Sequence, residues 1–182
     1  QRTVEAIVAA KADLAPAELS LGKCRAPGGS HNRTVKQGVA RTDAEFGPQS
    51  TDAQRWLDTM LHALVFRRAG KQPDLVWYHF SAHVVCYADE QAGPDWPGEV
   101  AREIRSQLGV RPSFLQGHIG DVNPGDGSDW RGEIRQTVAA ITPALKQAIA
   151  AASPVRVDCL RARSAPCNVP FDMERFEQWV EE

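Results

Sequence analysis

The sequence is short of the features that would assign it at once. No run of apolar residues approaches the roughly 20 that a membrane-spanning helix needs, so no transmembrane segment is expected. Neither charge is in surplus: 21 Lys and Arg face 23 Asp and Glu, for a net charge of -2. That balance leaves no cationic footprint for a nucleic-acid backbone, and nucleic acid is excluded as the expected partner. Cysteine is scarce, and Cys24, Cys86, Cys159 and Cys167 form no CxxC, which removes a zinc ribbon and a thioredoxin-like motif. Buried free thiols are the default reading, with a disulfide between Cys159 and Cys167 as the alternative. No GxxxxGK[ST] phosphate loop, HExxH or GxSxG is present, so nucleotide hydrolysis, zincin proteolysis and α/β-hydrolase chemistry lose their usual signatures. Gln1-Arg2-Thr3 lacks the regions of a signal peptide, and the chain opens without Met on a helical pattern, from which a mature or truncated chain is expected.

What is there is ordinary globular chain. The 182 residues are 42% hydrophobic and 24% charged, which excludes disorder as the main state and fits one domain or an incomplete one. Val4, Ile7, Val8 and Ala12 predict an amphipathic helix over residues 2–14 that Pro16 stops. Glu18 to Arg25 reads as a short strand, and Ala26 to about Asp52 as a long irregular loop carrying the formal sequon Asn32-Arg33-Thr34. Strands over 59–68 and 75–85 flank a turn at 69–74, as in a hairpin. Further elements follow: a helix over 97–108, a strand over 111–116, a glycine-rich turn to 132 and a helix over 133–152. A half-buried strand over 155–163 and a short helix over 172–180 close the chain. The alternation predicts an α/β architecture, a layered sheet with flanking helices.

Two segments place polar groups where strands of such folds end, the usual place for a ligand. In Trp77 to Val85, His79 and His83 share strand parity and so one face, and a neutral imidazole suits zinc. The alternative is a hydrogen-bonded core histidine. In Phe114 to Gly125, the glycines 117, 120 and 125 allow the loop to present His118, Asp121, Asn123 and free backbone N–H groups to a pocket. The alternative there is a tight turn whose Asp121 and Asn123 bind only backbone amides. A calcium loop fails, because Gly125 and Asp126 occupy positions where that motif wants a ligand and a glycine.

Leu14-Ala15-Pro16-Ala17, His31-Asn32-Arg33, Phe80-Ser81-Ala82-His83, Pro94-Asp95-Trp96-Pro97-Gly98 and Leu115 to Pro124, taken in order, resemble the catalytic domain of the neutral/alkaline non-lysosomal ceramidases. The resemblance covers residues 1 to about 152, a hydrolase-like domain lacking its N-terminal part, with 153–182 as an extension. It implies a zinc-dependent amidase acting on a small-molecule or lipid amide, usually secreted or periplasmic. His83 matches a zinc-binding histidine, with His79 ranked below it. Arg33 falls in the family's Asn-Arg segment, Asp95 in its Ser-x-Asp segment and Asp121 in its Gly-Asp turn. Asn123 departs from the pattern: the ceramidases carry there the serine credited with catalysis, and a carboxamide is no nucleophile. The upstream paired-histidine segment and the downstream Glu and Tyr ligands have no match here. The implied roles are proton transfer or water orientation by His118 or Asp121, substrate contact at Asp95, and oxyanion or anion binding by Arg33 and the amides of Gly117 and Gly120. Attack by metal-activated water is one outcome; a non-catalytic binding or structural domain that kept the fold is the other. Shared use of His83 and Asp121 requires the strands over 75–85 and 111–116 to be neighbours, with the helix between them crossing right-handed if they are parallel.

Overall fold

The structure, a computed structural model, describes residues 2–33, 51–55, 57–70, 72–87, 92–159 and 161–168, together with Met173. Its elements are α1 (Arg2–Ala12), β1 (Ala17–Arg25), β2 (Ser30–Asn32), α2 (Asp52–Arg55), β3 (Met60–Arg68), β4 (Leu75–Phe80), α3 (Asp95–Leu108), β5 (Ser113–Gln116), β6 (Val122–Pro124), α4 (Ile134–Ala150) and β7 (Ser153–Pro154). Five strands form one sheet in the order β5-β4-β3-β1-β7, and β2 pairs with β6 in a second, two-stranded sheet. The expected mixed α/β layering with flanking helices is what the chain adopts.

Period-two alternation sorts the large sheet into two faces. Leu61, Ala63, Val65, Val76, Tyr78 and Phe80 are buried on one, beneath Trp96, Val100 and Ile104 of α3 and Ile141, Leu145 and Ala148 of α4. β1 and α4 approach so closely that a Cβ on Gly22 would overlap the Ala148 carbonyl. Gly109, in the left-handed region at φ 73°, ends α3, while the Glu133 side chain caps α4 by accepting from the Arg135 and Gln136 amides. The other sheet face is only partly covered, with Trp77 42% exposed and His62 set 5.9 Å from His79 across the β3–β4 pair.

β3 and β4 make the expected hairpin. β4 and β5 are parallel neighbours, and α3 is the crossover that such a pair requires. Several expectations need correction. The strand expected over 75–85 stops at Phe80, because the chain beyond it is captured by other partners. Phe80 accepts from the Gly117 amide, Ala82 from the Gln116 side chain, and the His83 amide donates to Val122. The shared-face argument for His79 and His83 therefore fails, since only His79 is in the strand. The strand expected over 155–163 is reduced to Ser153–Pro154 plus one bond from the Val155 amide to Leu19, because its partner β1 runs out at Ala17. The α1 helix forms, yet it buries no residue and leaves Val4, Ile7 and Val8 more than 60% exposed. The expected loop from Ala26 contains β2, and its residues 34–50 lie outside the described ones, as does nearly all of the helix expected over 172–180. All four cysteines are free, and Cys159 and Cys167 are exposed, not buried.

Candidate functional site

The site is built where the small sheet meets the end of β4. The register of β2 on β6 pairs His31 with Asn123 and Asn32 with Val122, which carries Arg33 onto the glycine turn. The Arg33 amide donates to the Asp121 carbonyl and its Nη2 to the Gly120 carbonyl, both at 2.7 Å, and Asn32 Nδ2 donates to Asp121 Oδ2 at 2.8 Å. Gly120 (φ 39°) and Gly125 (φ 84°) take backbone conformations that a side chain would resist. The segment leaving β4 joins them: the His83 amide donates to Val122 at 2.9 Å, and Trp96 Nε1 donates to the His83 carbonyl at 2.9 Å. His83 is thus fixed through both its backbone groups, and its Nε2 lies 3.4 Å from the Gly120 carbonyl.

These contacts border a half-open cavity of about 360 Å³ lined by Arg33, His83, Val85, Tyr87, Asn123, Trp130 and Arg131. Asn123 is fully buried; its Nδ2 donates to the Trp130 carbonyl, while Oδ1 has no hydrogen-bond partner among the described residues. A buried acceptor left in this state costs about 1–3 kcal/mol. His31, beside Asn123, is buried with Nδ1 3.2 Å from the Gly125 carbonyl, and burial holds its pKa below the usual histidine range.

The structure therefore brings Arg33, His83 and Asn123 to one cavity. Gly120 and Asp121 stand behind them as backbone partners of Arg33. Asp95 is elsewhere: it is buried at φ 52°, with Oδ2 accepting from the Tyr87 amide and Oδ1 from the Trp96 amide, each at 2.7 Å. Its carboxylate anchors the cavity wall at Tyr87. Gly117 spends its amide on Phe80, and a Cβ there would overlap Ser81 Oγ, so packing explains this glycine. His118 is exposed and held by Ser81 Oγ, 2.9 Å from its Nδ1, and does not line the cavity. Burial, with Asp95 alongside, pushes the Cys86 thiol up to about 12, which leaves it unreactive.

Tyr87, Trp130, Arg131 and the buried His31 were missed from sequence. An Asp-Trp-Arg triplet inside a run of Gly, Ser and Asp was a usable signal, since an exposed Trp in such a loop has no core to serve. The Ser81–His118 contact joins two distant segments and had no sequence signal. A larger cavity of about 720 Å³ between α3 and α4, lined in part by Glu99, Glu103, Thr142 and Lys146, contains none of the candidate residues.

The zinc implied by the resemblance meets an incomplete ligand set. Among the described residues no group of three or more His, Cys, Asp or Glu side chains could hold a metal, whereas zinc takes four protein ligands, or three and a water. His83 alone does not make the site.

A mixed α/β domain with a cavity at the end of its sheet defines the class. Solved structures give the particular fold. Neutral ceramidase from Pseudomonas aeruginosa superposes with a TM-score of 0.59 at 19% identity, covering 81% of this chain and 24% of that one. A ceramidase complexed with C2 superposes with a TM-score of 0.60 at 18% identity, covering 78% and 23%. The fold is ceramidase-like, and the chain spans about a quarter of the length of those proteins. No protein-family model matches the sequence, nor does any curated protein.

Proposed function

We propose that this chain is part of a ceramidase-like hydrolase that cleaves an amide or related acyl bond in the cavity at Asn123. The observation that carries the reading is the convergence of Arg33, His83 and Asn123 on one cavity of a ceramidase-like fold. In hydrolysis, water adds to the acyl carbon, the C–N bond breaks, and one proton of the water passes to the departing amine. Asn123, a carboxamide and so no nucleophile, holds the cavity wall through its bond to the Trp130 carbonyl. The Arg33 guanidinium, tied to Gly120, faces the oxygen on which charge develops. The His83 imidazole, fixed through its backbone, lines the same cavity and is the group this reading gives to a metal.

Zinc belongs to this reading as an ion for which His83 supplies one ligand and residues outside the described ones supply the rest; no step here depends on it. Metal analysis tests that part separately. His83→Ala should remove bound zinc from the protein, whereas His62→Ala, on the sheet face, should not, and an unchanged zinc content in the His83 variant would refute the ligand role.

A second reading has its own support. Asn123 stands where the resemblance places a serine, and the described residues hold no complete metal set, so a binding domain that has lost its chemistry is the alternative. Hydrolysis of N-lauroylsphingosine and of simpler N-lauroyl amides, followed by mass spectrometry of the released laurate, separates the two. The hydrolase reading expects turnover that falls about 100-fold or more in His83→Ala. Folded protein that releases no laurate from any of these amides would leave the binding reading standing.

A further inference from the structure

Two apolar surfaces of this chain meet no partner among the described residues. The first is the open face of the large sheet. Register and period-two alternation set Leu21, Leu64 and Trp77 side by side on β1, β3 and β4, with Phe66 and Leu75 on one flank and Leu115 of β5 on the other. Leu21, Leu75, Trp77 and Leu115 are 37–43% exposed, and a contiguous apolar patch of this kind marks an interaction site. The second is the stripe of Val4, Ile7 and Val8 on α1, where no residue is buried. A helix of 11 residues is marginal in water by itself, so α1 draws its stability from whatever covers that stripe. Its own sheet does not. Arg68 shares the parity of Leu64 and Phe66, so its side chain, 5% exposed, stands on the open-face side. There Nη1 donates to the Asp13 carbonyl at 3.0 Å and to its carboxylate at 2.6 Å, and Nε donates to the Pro73 carbonyl at 2.7 Å. The Ala69 amide donates to the Pro16 carbonyl at 3.0 Å. These bonds fix the root of α1 at the end of the open face, while every described residue of the helix stays exposed.

We infer that α1 is an arm that packs on the open sheet face of a second copy of this chain, the two copies exchanging arms across a two-fold axis. Stripe and face occur once each per chain and each lacks what the other supplies, so a symmetric exchange covers both and closes the assembly. The dimensions agree: 11 helical residues run about 16 Å, and the four strands from β1 to β5 span about 15 Å. Charge agrees too, since Glu5 flanks the stripe, Lys23 flanks Leu21 on the face, and neither has an ion-pair partner among the described residues. Two arms and the faces beneath them bury on the order of 1,000 Å² in all, the lower bound of a specific interface, so the dimer is a weak one that forms at about 10 μM and above. The contact uses none of the residues that line the cavity at Asn123.

Sedimentation equilibrium of the full chain from about 1 to 200 μM reads the association, and amide hydrogen exchange at the two ends of that range reads where it occurs. The unaltered protein should pass from monomer to dimer, with exchange in α1 slowing about tenfold or more in the dimer. Ile7→Glu on the arm and Trp77→Glu on the face should each weaken association at least tenfold. Thermal melting checks that the variants are folded. Ile7 packs on nothing within the chain, and Leu21→Glu, on the neighbouring strand of the same face, replaces Trp77→Glu should that variant fail to fold. A chain that stays monomeric at 200 μM would overturn the inference, and so would exchange in α1 that is slow at every concentration, the sign of docking within one copy. A dimer indifferent to Ile7→Glu would be two sheets stacked face to face, and one indifferent to the face variants would be two arms paired with each other; either result refutes the exchange.

Discussion

At the scale of the residue, Asp95 and His31 show how much of this site is held by groups that do not face its ligand. A non-glycine residue at φ 52° costs on the order of 1–2 kcal/mol, so Asp95 needs a compensating gain. It has one in two amide donors at 2.7 Å on a buried carboxylate. Asp95→Ala should therefore lose about 3 kcal/mol in urea unfolding, and Asp95→Asn, which retains one acceptor, clearly less. Equal losses in the two variants would mean that the carboxylate bonds are not the source. His31 titrates in the opposite sense to a paired histidine. Its folded pKa lies below the unfolded value of about 6.5, so the unfolded chain binds the proton more tightly. Stability from this group is intact above that value and is lost as pH falls from about 6.5 through the folded pKa. Asp126, whose charge favours the imidazolium, moderates the loss. Stability measured at pH 7.5 and pH 5.5 should differ more in the wild type than in His31→Gln, and parallel pH profiles would refute the assignment. Neither role was legible in sequence, since Asp95 read as a substrate contact and His31 drew no separate role of its own. A buried partner is a property of three-dimensional contact.

At the scale of the element, what was legible follows from periodicity, and what was not follows from partners. The helices near 97–108 and 133–152 and the β3–β4 hairpin have patterns that local geometry and one buried face enforce, and they appear within a few residues of expectation. The strand beyond Phe80 does not, because the backbone groups after it bond to β6 and to the Gln116 side chain, which no period reveals. The alternation over 155–163 fails for lack of a strand to pair with. Burial of α1 was equally unreadable: its apolar stripe forms the helix but meets no surface among the described residues. The β1–α4 contact is the sharpest constraint on the layers. Gly22 leaves no room for a methyl group beneath the Ala148 carbonyl, and backbone cannot swing aside as a side chain can. Gly22→Ala should cost about 3 kcal/mol or prevent folding, while Gly70→Ala, where no atom of the described residues beyond its chain neighbours lies within 4 Å but φ is 85°, should cost only about 1 kcal/mol. Chemical denaturation of both variants decides whether crowding or backbone strain costs this fold more.

At the scale of the whole molecule, the likeness to ceramidase was legible because its residues are strung in order along the chain, and the superposition bears out the fold they imply. The cavity was only partly legible, since Tyr87, Trp130 and Arg131 come to it through loop closure. The boundary of the folded unit is the remaining question. Residues 1–152 were expected to form it, and β7 adds Ser153 and Pro154 to the β1 edge, with Val155 still bonded to Leu19. From 156 to 168 the described residues are exposed and carry no regular structure, and the Arg156–Asp158 pair is a surface contact that contributes little. Trypsin tests where cohesion ends. Among the bonds of the described residues, those after Arg156, Arg161 and Arg163 should be cut first, because cleavage needs about a dozen residues of chain free to enter the protease and β3, α3 and α4 offer none. The product ending at Arg156 or beyond should melt at the temperature of the intact protein. Slow cleavage at all three of these bonds, or a melting temperature that drops once the residues after Arg156 are gone, would show that this segment is bound to the domain and contributes to its stability.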